Sequence, residues 1–144
     1  YVKSFEKPNQ KGTEINKNLS LSPKVPCYIF KNNMIFIKIF SLDFSFAIDK
    51  NLSHIFKKID EFKMKVDIIQ NSAISFSICL FDKYNQIDNL IKSLEGKFKI
   101  EVYKNISLYT IRHFDEQAIK VVSAGKKLLL EQRSEKTVKL IFKN

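Results

Sequence analysis

A chain of 144 residues, 44% of them hydrophobic, suits one compact domain or two small ones packed together, burying roughly two-thirds of the surface its unfolded form exposes. The net charge of +10 raises nucleic acid as a partner, but only Arg112 and Arg133 are arginines and the lysines are scattered singly. Base and phosphate readers favour the bidentate fork of arginine, so nucleic-acid binding is not expected.

The longest apolar run, Met34 to Phe40, is broken by Lys38 and falls far short of the ~20 residues of a membrane span. The chain opens with no charged-then-apolar leader, and Cys27 and Cys79 lack metal-site spacing. The expectation is a soluble cytoplasmic protein with reduced thiols and no membrane contact.

In chain order, "YVKSFEKPNQKGTEI" combines a short apolar strand, Tyr1 to Phe5, with a turn at Pro8 and Gly12, and reads as a connector over residues 1–15. A polar stretch follows. Next, "VPCYIF" and "MIFIKIF" flank "KNN", a pattern that predicts a hairpin. From Asn51 the period becomes helical: Leu52, Ile55, Phe56, Ile59 and Phe62 share one side, with His54 on the solvated side and Asp49 or Asn51 as candidate cap.

"KVDII" returns to strand, and "ISFSICLF" alternates Ile74, Phe76, Ile78 and Leu80 against serines and Cys79. "YNQIDNLIKSLEG" is a second amphipathic helix stopped by Gly96, and "FKIEVY" is a strand. The order strand, helix, strand, strand, helix, strand is the ferredoxin-like βαββαβ pattern. Further along, "ISLYTIR", a helix over Asp115–Ala124 capped by Asp115, "KKLLLEQR" and "TVKLIFK" make an incomplete second unit. The segment ending in "VPCYIF" can complete it. The fold class is therefore α+β: two ferredoxin-like units, the first (34–104) inserted in a permuted second (16–33 plus 105–144).

Chemistry is sparse. Gly12, Gly96 and Gly125 are isolated, so no phosphate-cradling loop exists, and neither His54 nor His113 has metal-ligand spacing. No catalytic or metal residue is assigned. Polar groups gather instead at element ends: Asp43 and Ser45 after the first strand, Asp49 and Asn51 at the first helix, Asp67 in the following strand, then Gln70, Asn71 and Ser72. A helix start suits a carboxylate and Asp67 suits an ammonium, so a free amino acid would fit. The plainer alternative is that these residues satisfy their own backbone.

These stretches carry a resemblance. "YVKSFEKPNQKGTEI", "VDIIQNSAISFSICL", "SLYTIRHFDEQAI" and "GKKLLLEQRSEKTVKLIF" resemble, in this order and spacing, the C-terminal regulatory region of aspartate kinase, built from two ACT domains, most like the kinases of the Bacteroidetes group. The resemblance covers essentially the whole chain. It implies a regulatory part of an enzyme that phosphorylates aspartate with MgATP towards lysine, threonine and methionine, while this fragment itself carries no catalytic residue or cofactor.

The resemblance also implies a homodimer through the ACT domains and an end-product amino acid, lysine first, at the pairing interface. Its candidate contacts are Ser45, Asp49, Lys50, Asn51, Leu52, Asp67, Gln70, Asn71 and Ser72. Lys50 stands about where lysine-responsive relatives carry glycine, and Ala73 where many carry glutamate, whereas Asp67 matches. An ACT pair kept only as a dimerisation scaffold stays open as an alternative. An RNA-binding βαββαβ module is the remoter one, because "ISFSICLF" lacks the aromatic stacking platform of such modules.

Overall fold

A computed structural model describes residues 1–17, 24–41 and 48–144, with only the backbone given at 41 and 48–50. Six strands and three helices follow in the order β1 (Cys27–Ser41), α1 (Ile48–Glu61), β2 (Lys65–Asn71), β3 (Ser75–Phe81), α2 (Ile87–Leu94), β4 (Phe98–Arg112), α3 (Glu116–Ser123), β5 (Lys127–Arg133) and β6 (Thr137–Lys143). All strands belong to one antiparallel sheet, ordered β2-β3-β1-β4-β6-β5.

Two ferredoxin-like units share this sheet. The C-terminal half of β1 with α1, β2, β3, α2 and the N-terminal half of β4 makes the first. The C-terminal half of β4 with α3, β5, β6 and the N-terminal half of β1 makes the second, permuted around the insertion. Among the described residues the second unit has one helix, α3. The segment from Asn16 that could supply another lies partly outside the described residues.

The expected hairpin at "KNN" is not there. Cys27 to Ser41 is one continuous strand, and "FKIEVY" and "ISLYTIR" likewise merge into β4. The physical reason is a pair of reciprocal bulges. Between Lys31↔Leu108 and Met34↔Ile106 the extra residue is on β1; between Met34↔Ile106 and Phe36↔Tyr103 it is on β4. Asn33 and Asn105 take left-handed backbone there, each with φ of 54°. Asparagine tolerates that region better than other residues with a Cβ, so a turn-like signature is used to kink a strand rather than reverse it.

Each bulge also reverses which side chains face which way, since strand alternation has a period of two. In the first unit Ile35, Ile37 and Ile39 of β1 join Phe76, Ile78 and Leu80 of β3 beneath α1 and α2, with Ile55, Ile59, Leu90 and Leu94. In the second unit Ile111, Val138, Leu140 and Phe142 pack beneath α3 against Ala118, Ile119 and Val122. Between them the helix-free faces meet: Met34, Phe36, Ile68 and Cys79 from the first unit against Ile106, Leu108, Leu130 and Ile141 from the second. The sheet therefore curls on itself with helices outside, and each unit covers the other's open face.

The helix signals behave largely as expected. Asp115 accepts from Ala118 N–H at 2.7 Å, capping α3, and Gly96 follows α2 with φ of 84°. At α2 the first-turn N–H of Ile87 goes to Asp82, 2.7 Å away, a cap reached from five residues upstream. Helix α1 starts at Ile48, earlier than its apolar spacing suggested, which places Asp49 and Asn51 inside the first turn rather than at the cap. In the connector, Val2 and Thr13 exchange two backbone hydrogen bonds of 2.8 Å. Gly12 permits that approach, because a Cβ there would lie 2.5 Å from the Val2 carbonyl oxygen.

Two expectations follow from this packing. Replacing Asn33 by valine should lower stability by about 1–2 kcal/mol, because a β-branched residue is forced left-handed, whereas glycine should be tolerated; chemical denaturation measures both. Cys79 is fully buried, and burial, helped by the nearby Asp67 carboxylate, pushes its thiol up to about 12 from an ordinary 9.0. The folded state thus favours the neutral thiol. That contribution is intact below pH 9 and is lost as pH rises towards 12, so Cys79→Ala should flatten the alkaline decline in stability. At pH 8 a thiol reagent should label the exposed Cys27 and reach Cys79 only on unfolding.

Candidate functional site

The polar residues picked out by the sequence are distributed over both faces of the first unit. Phe40 of β1 pairs with Ser75 at the start of β3, and Asn71 of β2 pairs with Phe76. The end of β1, the β2–β3 turn and the start of α1 therefore share one end of the sheet. The first four N–H groups of α1, Lys50 and Asn51 included, have no partner within the helix. Ser45 and Asp43 lie outside the described residues, as do the side chains of Asp49 and Lys50. Leu52 packs against the helix-side core.

Ser72 has a local task. Its hydroxyl accepts from Ser75 N–H at 3.1 Å and lies 2.8 Å from the Ser75 hydroxyl, which closes the β2–β3 turn. Asn71 ends β2 and is exposed, whereas Gln70 lines a cleft of about 370 Å³ on the helix-free face, together with Lys38, Ser77 and Glu131. A second cavity, about 310 Å³, sits at the far end of the first unit between Asn33, Asn85 and Asn105. Its carboxylates are already engaged: Asp82 caps α2, and Asp88 holds Lys104 at 2.8 Å.

Asp67 is not with the helix start. It occupies a bulge in β2 between Val66, which packs on the helix side, and Ile68, which packs on the opposite side. Its carboxylate forms an ion pair with Lys31 of β1, and its carbonyl accepts from Lys139 Nζ of β6 at 3.0 Å. Two residues on, the Ile69 carbonyl accepts from the Gln132 side chain of β5 at 3.2 Å. Asp67 thus already holds an ammonium, that of its own chain, and ties β2 to the second unit.

The sequence missed Lys31 and Lys139 as partners of Asp67. The false hairpin hid Lys31, since a residue beside a turn has no reason to reach a strand 36 positions away. His54 is half-buried rather than solvated, and its Nε2, like that of His113, is shielded without a hydrogen-bond partner. His113 takes left-handed backbone directly after β4 and donates its own N–H to Lys136 at 2.6 Å. Among the described residues no group of three His, Cys, Asp or Glu side chains could hold a metal, and no helix is long and apolar enough to cross a membrane.

The architecture has counterparts among solved structures. The C-terminal regulatory domain of aspartate kinase from Porphyromonas gingivalis W83 superposes with a TM-score of 0.66 at 16% identity, over 83% of this chain and 87% of that one. The regulatory subunit of aspartate kinase from Thermus flavus gives 0.58 at 13% identity, over 80% and 86%. This is the fold of aspartate kinase regulatory regions. Escherichia coli aspartokinase III, in complex with lysine and aspartate, gives 0.62 at 14% identity over 79% of this chain, which spans 28% of the length of that enzyme. No family model matches the chain, and no curated protein matches it.

The Asp67 ion pair generates a prediction. Removing the carboxylate leaves Lys31 facing a largely enclosed site, so Asp67→Ala should lower stability by about 1–2 kcal/mol, between the values of exposed and buried pairs because the lysine is partly solvated. The double variant Lys31→Met/Asp67→Ala should recover part of that loss in urea denaturation.

Proposed function

We propose that this chain is the regulatory region of an aspartate kinase, sensing an end-product amino acid, lysine first among candidates. The observation that supports the proposal is that most of this chain superposes on most of regulatory regions of aspartate kinases that are themselves of similar length. The catalytic step, transfer of phosphate from MgATP to aspartate, belongs to a kinase part outside this chain. The chain works as a homodimer in the cytoplasm, with symmetric pairing protecting sheet edges that remain open.

The effector seat is the end of the first unit where α1 begins. Unpaired N–H groups of the first helical turn take the ligand carboxylate, and Asn51 and Asn71 border the site. Asp67 supports this seat indirectly, by fixing β2, from the other face of the sheet. The bound lysine of the E. coli enzyme is the precedent for the ligand class.

Thermal melting with lysine, threonine and methionine tests the proposal. An effector at ~100 times its dissociation constant adds roughly 2.7 kcal/mol. At about 2–4 °C per kcal/mol the melting point should rise by several degrees. Asn51→Ala should reduce the rise. A melting point indifferent to every amino acid would favour a dimerisation scaffold, and a monomer in light scattering at high concentration would overturn the dimer.

A further inference from the structure

The sheet leaves four stretches of edge without a strand neighbour among the described residues: β2, β5, the N-terminal half of β4 and the N-terminal half of β1. An open edge offers unpaired N–H and C=O groups to any passing strand, so soluble proteins guard it with charges, bulges or cover. Three of these edges are guarded. β2 carries a bulge, and its Asp67 and Ile69 carbonyls already accept from Lys139 and Gln132. β5 carries a bulge as well, with Lys127, Glu131 and Arg133 along it. The free half of β4 holds Lys99 and Glu101 between Lys97 and Lys104.

The fourth edge is bare. β3 pairs with β1 only from Ile35 onward, so Cys27 to Lys31 meet β4 on one side and no described strand on the other. No charged residue stands between Lys24 and Lys31. Val25, Tyr28, Ile29 and Phe30 are each between 49% and 56% exposed, and Cys27 is exposed as well. Phe30 packs on Tyr109 with ring centres 4.5 Å apart, and Tyr28 lies opposite Ile111, so both aromatic side chains stand on the α3 side. Cys27 and Ile29 take the other side by strand alternation.

We propose that this stretch is the seam of the homodimer: β1 of one copy pairs antiparallel with β1 of a second copy about a two-fold axis, joining the two sheets. The inference rests on the homodimer proposed above and names the edge that makes it. Two-fold pairing keeps like faces together, so Tyr28 and Phe30 meet their counterparts on the α3 side, and Cys27 and Ile29 meet theirs on the other. That self-complementarity selects a second copy. The chain carries +10, so two copies repel, and of the four edges this one brings no charge of its own to the contact. Half-exposed side chains of this size lose roughly 400 Å² per copy, or about 800 Å² for the pair before the backbone is counted. Such an area suits a reversible, micromolar association. The seam lies at the opposite end of β1 from the start of α1, so effector binding there is read separately.

Sedimentation velocity of the full 144-residue chain between about 1 and 500 µM tests this. A monomer–dimer equilibrium that stops at two is expected, because the pairing uses up the edge. Ile29→Lys should weaken it at least about tenfold, with the melting point unchanged because the side chain is already half in water. Leu128→Lys on β5 and Ile69→Lys on β2, at comparably exposed positions, should leave the equilibrium as it is. A second measurement needs no substitution: amide hydrogen exchange over residues 27–31 should slow at high concentration, and that over residues 98–103 should not.

A dimer that survives Ile29→Lys, or that leaves exchange over residues 27–31 unchanged, overturns the seam and leaves the homodimer standing. So does a dimer dissolved by Leu128→Lys or Ile69→Lys with the fold intact. Growth past two copies overturns the two-fold pairing. A chain that stays monomeric throughout overturns the seam and the homodimer together, while amino-acid sensing stands or falls on the melting test.

Discussion

Everything in the molecule hangs on the antiparallel pairing of two fifteen-residue strands, β1 and β4. Each strand serves one unit with its first half and the other unit with its second half. Neither unit owns a complete sheet without the other. The paired bulges at Asn33 and Asn105 make this sharing workable, since each adds one residue and so turns the apolar set of its strand over to the other face. Without that reversal the isoleucines beneath α1 would continue in phase into the second unit and leave its face against the first unit polar.

The reversal explains how the charged groups are used. Lys31 lies past the bulge and so faces inward, towards Asp67, whereas in an unbroken alternation it would face the helices. Lys139 and Gln132 add side-chain bonds to the β2 backbone from the far edge of the sheet. Polar contacts of this kind contribute modestly to stability, but they fix register and approach. The apolar cluster between the units supplies the adhesion, and the Asp67 group decides which surfaces adhere.

Most of the secondary structure was legible because it obeys simple periods: Leu52, Ile55 and Ile59 for α1, Phe76, Ile78 and Leu80 for β3, and an aspartate cap at Asp115. The nested arrangement of two units also followed from element order. What misled was "KNN", whose asparagines signal a turn when read alone; only pairing with a strand more than sixty residues away turns that signal into a bulge. The candidate site's residues stood out in the sequence, but their neighbours did not. Sequence proximity joined Asp67 to Gln70, Asn71 and Ser72, but the bulge at Asp67 turns its carboxylate to Lys31 on the helix-free side, away from the start of α1.

Shared strands also govern how the chain reaches this state. Cys27 pairs with Arg112 and Ser41 with Phe98, so the central ladder closes across nearly the whole inserted unit. Closing a loop of that length is entropically demanding, and contacts so distant in sequence slow folding relative to local ones. Helices and the β2–β3 hairpin can form early, yet neither half gains its full sheet until β1 and β4 meet. The chain should therefore cross its folding barrier once, as a single cooperative body, and an unfolding event that begins in either unit propagates into the other.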